Sequence, residues 1–249
     1  MTPAAYLAEL ARLQAAFARL ITVTDPDAVI PGLGGWSVRA LVGHLAGVHR
    51  WAAGMAQGDR GRDDDLDVAG LSVPALAASY SEHAAALRDT LAGVGPDAPA
   101  RTLVGPGPAS FWFRRQVHET LVHLGDLAAA RSGAWTVDVL DGVVDVDPAL
   151  WADGVDEVVT VFEPRQVRLG RITPLARLVG LREAGSGRVW VLGGAEDGRE
   201  PEPAAATVTA DARALDLLLW GRVDPAAAGA VVDGDPTALT DALAAGIVP

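Results

Sequence analysis

The segment Arg114-Arg115-Gln116-Val117-His118-Glu119-Thr120-Leu121-Val122-His123-Leu124-Gly125-Asp126 decides how the chain is read. It lies inside a longer stretch of helical periodicity. Glu119 and His123 are four residues apart, so on a helix their side chains sit one above the other with Cβ atoms about 5–6 Å apart. That spacing makes a two-ligand metal claw. Heptad steps along the same face give Trp112, Gln116, Glu119, His123, Asp126 and Ala130, a polar stripe where a packed helix normally presents apolar side chains.

Working outward, the helix carrying this stripe is expected over about 109–131, closed by Gly133 as a C-cap. Three further amphipathic segments precede it. The first starts at Thr2 or Pro3 and runs to about Leu20, with Tyr6, Leu10, Leu13, Phe17 and Leu20 at helical spacing. The second follows an N-cap at Ser37 and covers about 38–57. It carries His44 among Leu41, Gly47, Val48 and Trp51, on the side that faces a bundle; a core histidine bonded to a backbone carbonyl is the competing reading. The third covers about 73–91, opened by Pro74, and its His83 reads as surface or packing. The acidic loop 58–70, with Asp63-Asp64-Asp65, reads as solvated surface without a role, and the Gly/Pro-rich stretch 93–108 as a connection.

Four such helices predict a four-helix bundle over residues 1–146. The pattern then changes to a short helix (148–162), strand-like runs at 175–181, 188–192 and 205–209, and helices at 212–220 and 236–247. This predicts a small α+β domain over 147–249. The fold class is therefore an all-α bundle followed by an α+β domain.

Composition narrows the chemistry. With 249 residues, half of them hydrophobic, the chain can bury a substantial core. A net charge of -12 argues against a polyanionic partner, so no nucleic acid is expected. No apolar run approaches the ~20 residues of a membrane span, and no basic-then-apolar start resembles a signal peptide. A cytoplasmic protein without a membrane partner is expected. Cys, Lys and Asn are absent. That removes disulfides, thiolate ligands, a cysteine nucleophile, Schiff-base chemistry and a P-loop lysine, so any thiol chemistry must use a borrowed thiol.

His118-Glu119 invites the reading of a zinc-protease HExxH motif, but that motif places its second histidine four residues on. His118 and His123 are five apart and point about 140° away from each other. The usable pair is Glu119 with His123, and a third ligand must come from another helix, for which His44 is best placed. His49, five residues after His44, faces elsewhere and is left to line a pocket or to pack on Trp36 or Trp51. A His/Glu/His set leaves a fourth position open, as catalytic zinc does, although other divalent transition metals accept the same donors. Asp126 either orients an imidazole N–H or bonds Arg131 or solvent. Arg115, four residues before Glu119, is either its ion-pair partner or a group free to contact a cofactor.

The segments Trp36-Ser37-Val38-Arg39-Ala40-Leu41-Val42-Gly43-His44-Leu45-Ala46-Gly47 and His118 through Asp126 resemble the mycothiol-dependent maleylpyruvate isomerase family, one of the DinB-like metal-binding bundles. Asp216-Leu217-Leu218-Leu219-Trp220-Gly221-Arg222 is similar to that family's C-terminal segment, on a sterol-carrier-like domain. The resemblance implies that His44, Glu119 and His123 hold zinc, with Asp126 beside them. It also implies that the thiol of mycothiol, activated at the metal, attacks a small electrophile. The outcome would be isomerisation by addition, rotation and elimination, or S-transfer that stops at a thioether. Arg222 would pair with a substrate carboxylate; the competing reading is an exposed arginine at a helix C-terminus. The competing function is a non-catalytic metal- or small-molecule-binding protein, monomer or homodimer. A third reading takes the polar stripe as a buried hydrogen-bond network that specifies helix register.

Overall fold

A computed structural model describes residues 1–59, 66–194 and 203–249; the Asp63–Asp65 run lies outside the described residues. The chain divides into two compact units, Met1–Asp145 and Val146–Pro249.

In the first unit, helix α1 (Pro3–Ile21) starts where Thr2 Oγ1 accepts the Ala5 N–H at 3.2 Å, with Pro3 needing no partner for its missing donor. Tyr6, Leu10, Leu13, Phe17 and Leu20 form its buried face. Helix α2 (Val38–Ala56) is capped the same way by Ser37 on the Ala40 N–H, and α3 (Val73–Val94) by Ser72 on the Ala75 N–H. Helix α4 (Ser110–Ser132) stops at Gly133, whose φ of 86° a side chain would resist and whose N–H closes on Ala129 O. Helices α1 and α2 each pack on both α3 and α4. This is the expected four-helix bundle, with α2 and α4 as neighbours.

The connection before α4 departs from expectation. Strands β1 (Pro99–Thr102) and β2 (Gly105–Pro108) pair antiparallel from Pro99↔Pro108 to Thr102↔Gly105. A Gly/Pro run has no alternating pattern to announce a hairpin; Trp112 Nε1, donating to Arg101 O at 2.6 Å, ties it to α4.

The second unit opens with α5 (Pro148–Glu157), which continues through a π-turn (Val158–Phe162) into α6 (Glu163–Arg168). The helix runs past the expected stop at Phe162, with Pro164 placed directly after the π-turn. Strands β3 (Val179–Glu183), β4 (Val189–Leu192) and β5 (Ala206–Ala210) are joined by an unexpected β6 (Val231–Gly234), in the order β4-β3-β5-β6 with β3 and β5 parallel. The first strand begins at Val179 rather than Leu175. Helices α7 (Ala212–Leu219) and α8 (Pro236–Ala244), capped by Asp211 and Asp235, pack on β3 and β5, over Val179, Leu181, Trp190, Leu192, Ala206 and Val208. Among the described residues, no helix is long and apolar enough to cross a membrane.

Candidate metal centre

The α2–α4 contact brings His44, Glu119 and His123 together, with one ligand atom of each lying within 4.8 Å of the others. They are the described residues' candidate set for holding a metal ion. Glu119 Oε1 is the shared point: His123 Nε2 lies 3.2 Å from it and His44 Nε2 3.9 Å. A four-coordinate zinc with bonds of about 2.0–2.1 Å needs ligand atoms about 3.3 Å apart. The His123–Glu119 pair has this spacing and His44 stands somewhat wider; two imidazole nitrogens and one carboxylate oxygen are a donor set that such an ion accepts. The side chains are 25 %, 15 % and 13 % exposed for His44, Glu119 and His123, so the cluster is partly accessible to solvent.

The other atoms of these side chains are held from behind. Glu119 Oε2 accepts from Arg115, which is buried, so one carboxylate oxygen is anchored and the other faces the histidines. Asp126, fully buried, accepts from His123 Nδ1 at 2.9 Å, which turns Nε2 toward Glu119. Asp126 thus meets His123, as one of its two readings expects, and Arg115 meets Glu119. Trp36 meets the His44 ring edge-on at 5.0 Å, and the His44 and His123 imidazoles lie edge-to-face at 5.4 Å. Gly125 leaves room for the Trp135 ring, which a Cβ would strike.

These contacts set the charges. Burial raises the Glu119 pKa, but the neighbouring Arg115, His123 and His44 outweigh it and hold the carboxyl well below its ordinary value. Burial likewise pulls the His123 pKa down, but its hydrogen bonds to Asp126 and Glu119 outweigh that and raise it to about 9. In the metal-free protein a proton on His123 and the Arg115 guanidinium supply the positive charge that the carboxylates demand. A divalent ion would substitute for that proton.

Other sequence candidates fall elsewhere. His118 is buried and stands apart from the triad, as its angular position requires. His83 places Nδ1 2.9 Å from Ser79 O. His49 is fully buried between Gln14 and Gln116, 5.7 Å from the Tyr80 ring, and so lines no open site. Gln14 is a buried polar residue at the i+4 position from Leu10 on the apolar face of α1, which is the sequence signal for such a partner. Arg222 belongs to the second unit, where its Nη1 donates to Trp220 O at 2.7 Å. Of the seven tryptophans, Trp112, Trp151, Trp190 and Trp220 are buried in cores.

Two family models match the chain, the mycothiol maleylpyruvate isomerase N-terminal domain over residues 7–128 and the MDMPI C-terminal domain over 149–241. Two crystal structures share the fold: the mycothiol-dependent maleylpyruvate isomerase, with a TM-score of 0.66, and a histidine-to-alanine mutant of it, with 0.67. Each is 14 % identical over 94 % of this chain and 93 % of its own. No curated protein matches.

Proposed function

This chain belongs to the mycothiol-dependent maleylpyruvate isomerase family, and we propose that it is a mycothiol-dependent enzyme, an isomerase or a thiol S-transferase, acting on a small electrophile at a divalent metal. His44, Glu119 and His123 hold the metal, with zinc as the first choice. The observation that carries this reading is the convergence of their three ligand atoms within 4.8 Å, on side chains that are partly exposed. When bound, zinc in such a three-ligand site lowers the pKa of a thiol at its open position and so supplies a nucleophile at neutral pH. The chain has no cysteine, so a thiol nucleophile has to come from a separate small molecule.

The protein's own residues then have distinct tasks. Asp126 fixes the His123 tautomer, with the proton on Nδ1 and Nε2 free for the metal. Arg115 neutralises Glu119 and commits one of its oxygens, leaving the other to the site. Arg222 is assigned to a carboxylate of the substrate, which a guanidinium grips with two parallel hydrogen bonds.

Turnover assays with mycothiol test the reading. An isomerase returns the thiol, whereas an S-transferase consumes one per product, so thiol titration at the end of the reaction separates the two. Arg222→Ala should raise KM for a carboxylate-bearing electrophile and leave zinc content unchanged. Stoichiometric zinc and thiol binding without turnover on any electrophile would replace the enzyme by a binding protein.

A further inference from the structure

One level along the bundle from the triad lies a second polar cluster that the proposed chemistry does not use. Gln14 of α1, His49 of α2, Arg88 of α3 and Gln116 of α4 form a single chain of hydrogen bonds, one residue from each helix. Arg88 donates to Gln14 Oε1, Gln14 Nε2 lies 3.1 Å from His49 Nε2, and His49 Nδ1 lies 2.8 Å from Gln116 Oε1. A guanidinium can only donate, so Gln14 turns its carbonyl to Arg88 and an amide N–H to His49 Nε2. His49 therefore carries its proton on Nδ1 and donates it to Gln116. His49 and Gln116 are fully buried and Gln14 nearly so. Burial outweighs the Gln116 hydrogen bond and holds the His49 pKa down at about 4, so the ring is neutral.

The position of this cluster relates it to the triad. His49 lies five residues after His44 on α2. On α4, Gln116 lies five residues before the midpoint of Glu119 and His123. Both offsets are about 7.5 Å of helix axis at 1.5 Å per residue, and they run in opposite senses, as on antiparallel helices. The His49–Gln116 bond is thus a second rung joining the two helices that carry the ligands. Sliding α4 by one turn, about 5.4 Å, would break that rung and carry Glu119 and His123 away from His44. An apolar pair would tolerate such a slide more readily than a buried donor and acceptor that must meet.

We propose that His49 and Gln116 are a positioning pair that locks the α2–α4 register in which His44 meets Glu119 and His123. The proposal rests on the metal reading of that triad. Gln116→Met removes the acceptor while keeping side-chain length. Zn²⁺ affinity of the full chain is measured by competition with a chromophoric chelator, and Co²⁺ substitution gives a visible spectrum that reports ligand geometry. The wild type is expected to bind one ion, and Gln116→Met to bind about 10–100-fold more weakly, the range for lost support around ligands, with displaced Co²⁺ bands. Arg88→Met cuts the chain at its far end, between α3 and α1; it is expected to lower the thermal midpoint and leave ion affinity and spectrum unchanged. If Gln116→Met does not fold, Gln116→Asn, which keeps the amide but shortens its reach, gives the same comparison. Wild-type affinity and spectrum in the folded Gln116 variant would overturn the register role and leave the metal reading standing. Equal loss in Arg88→Met would also overturn it, since lost stability alone would then explain both. A wild type that binds neither ion overturns both readings.

Discussion

Two polar clusters share α2 and α4, and their histidines are pushed in opposite directions. In one, His49 is fully buried, with its pKa lowered by burial to about 4. In the other, His123 is 13 % exposed on its side chain, and Asp126 and Glu119 outweigh burial to raise it to about 9. The first cluster has neutral partners on both ring nitrogens of its histidine. The second gathers two carboxylates and a guanidinium around the imidazoles of His123 and His44, whose side chains are partly exposed. Burial of a polar residue therefore does not by itself mark a functional site in this bundle. What distinguishes the triad is convergent acceptor atoms with access from outside, backed by partners that orient them.

The sharpest way to break the comparison is to remove one histidine from each level. His44→Ala should weaken zinc binding by about a thousandfold or more, beyond the 10–100-fold typical of residues that only support ligands. Its metal-free thermal midpoint should stay near wild type, because Glu119 keeps Arg115 and His44 is already a quarter exposed. Isothermal titration and calorimetric scanning measure the two quantities. A pH titration of stability probes the lower level. A folded-state pKa near 4 against an ordinary 6.5 means that the unfolded chain binds the extra proton between those values. Stability from His49 is thus intact above pH 6.5, declines as pH falls, and is lost by about pH 4, a loss of about 3 kcal/mol. Urea unfolding of the metal-free protein at each pH should show this slope, and His49→Gln should remove it. The smallest effect is expected at Asp126→Asn, which keeps an acceptor for His123 Nδ1 but loses the charge; zinc affinity should fall about tenfold.

Much of this organisation is legible in the sequence because it is local. The helix start at Ser37 is a side-chain cap within three residues of its partner, and the Gly133 stop is a backbone requirement. The Glu119/His123 claw follows from helical geometry alone, and His44 from its place on the facing side. What the sequence conceals depends on distant partners. His49 could be excluded as a ligand by angle, but its partners Gln14 and Gln116 are 35 and 67 residues away. The β1–β2 hairpin is written in Gly and Pro without alternation, and β6 exists because β5 offers it an edge. The third sequence reading, a buried hydrogen-bond network on the α4 stripe, has its counterpart in the bond from His49 to Gln116, and the metal reading in the convergence of His44, Glu119 and His123.

The central claim is that the triad holds a metal that accepts a small thiol. Zinc K-edge X-ray absorption on the zinc-loaded protein, before and after adding mycothiol, tests it most directly. The chain contributes no cysteine, so a cysteine-free nitrogen and oxygen shell at about 2.0–2.1 Å is expected first, joined on thiol addition by one sulfur at about 2.3 Å. A shell that gains no sulfur with saturating thiol, or zinc that the His44→Ala variant retains unchanged, would contradict it.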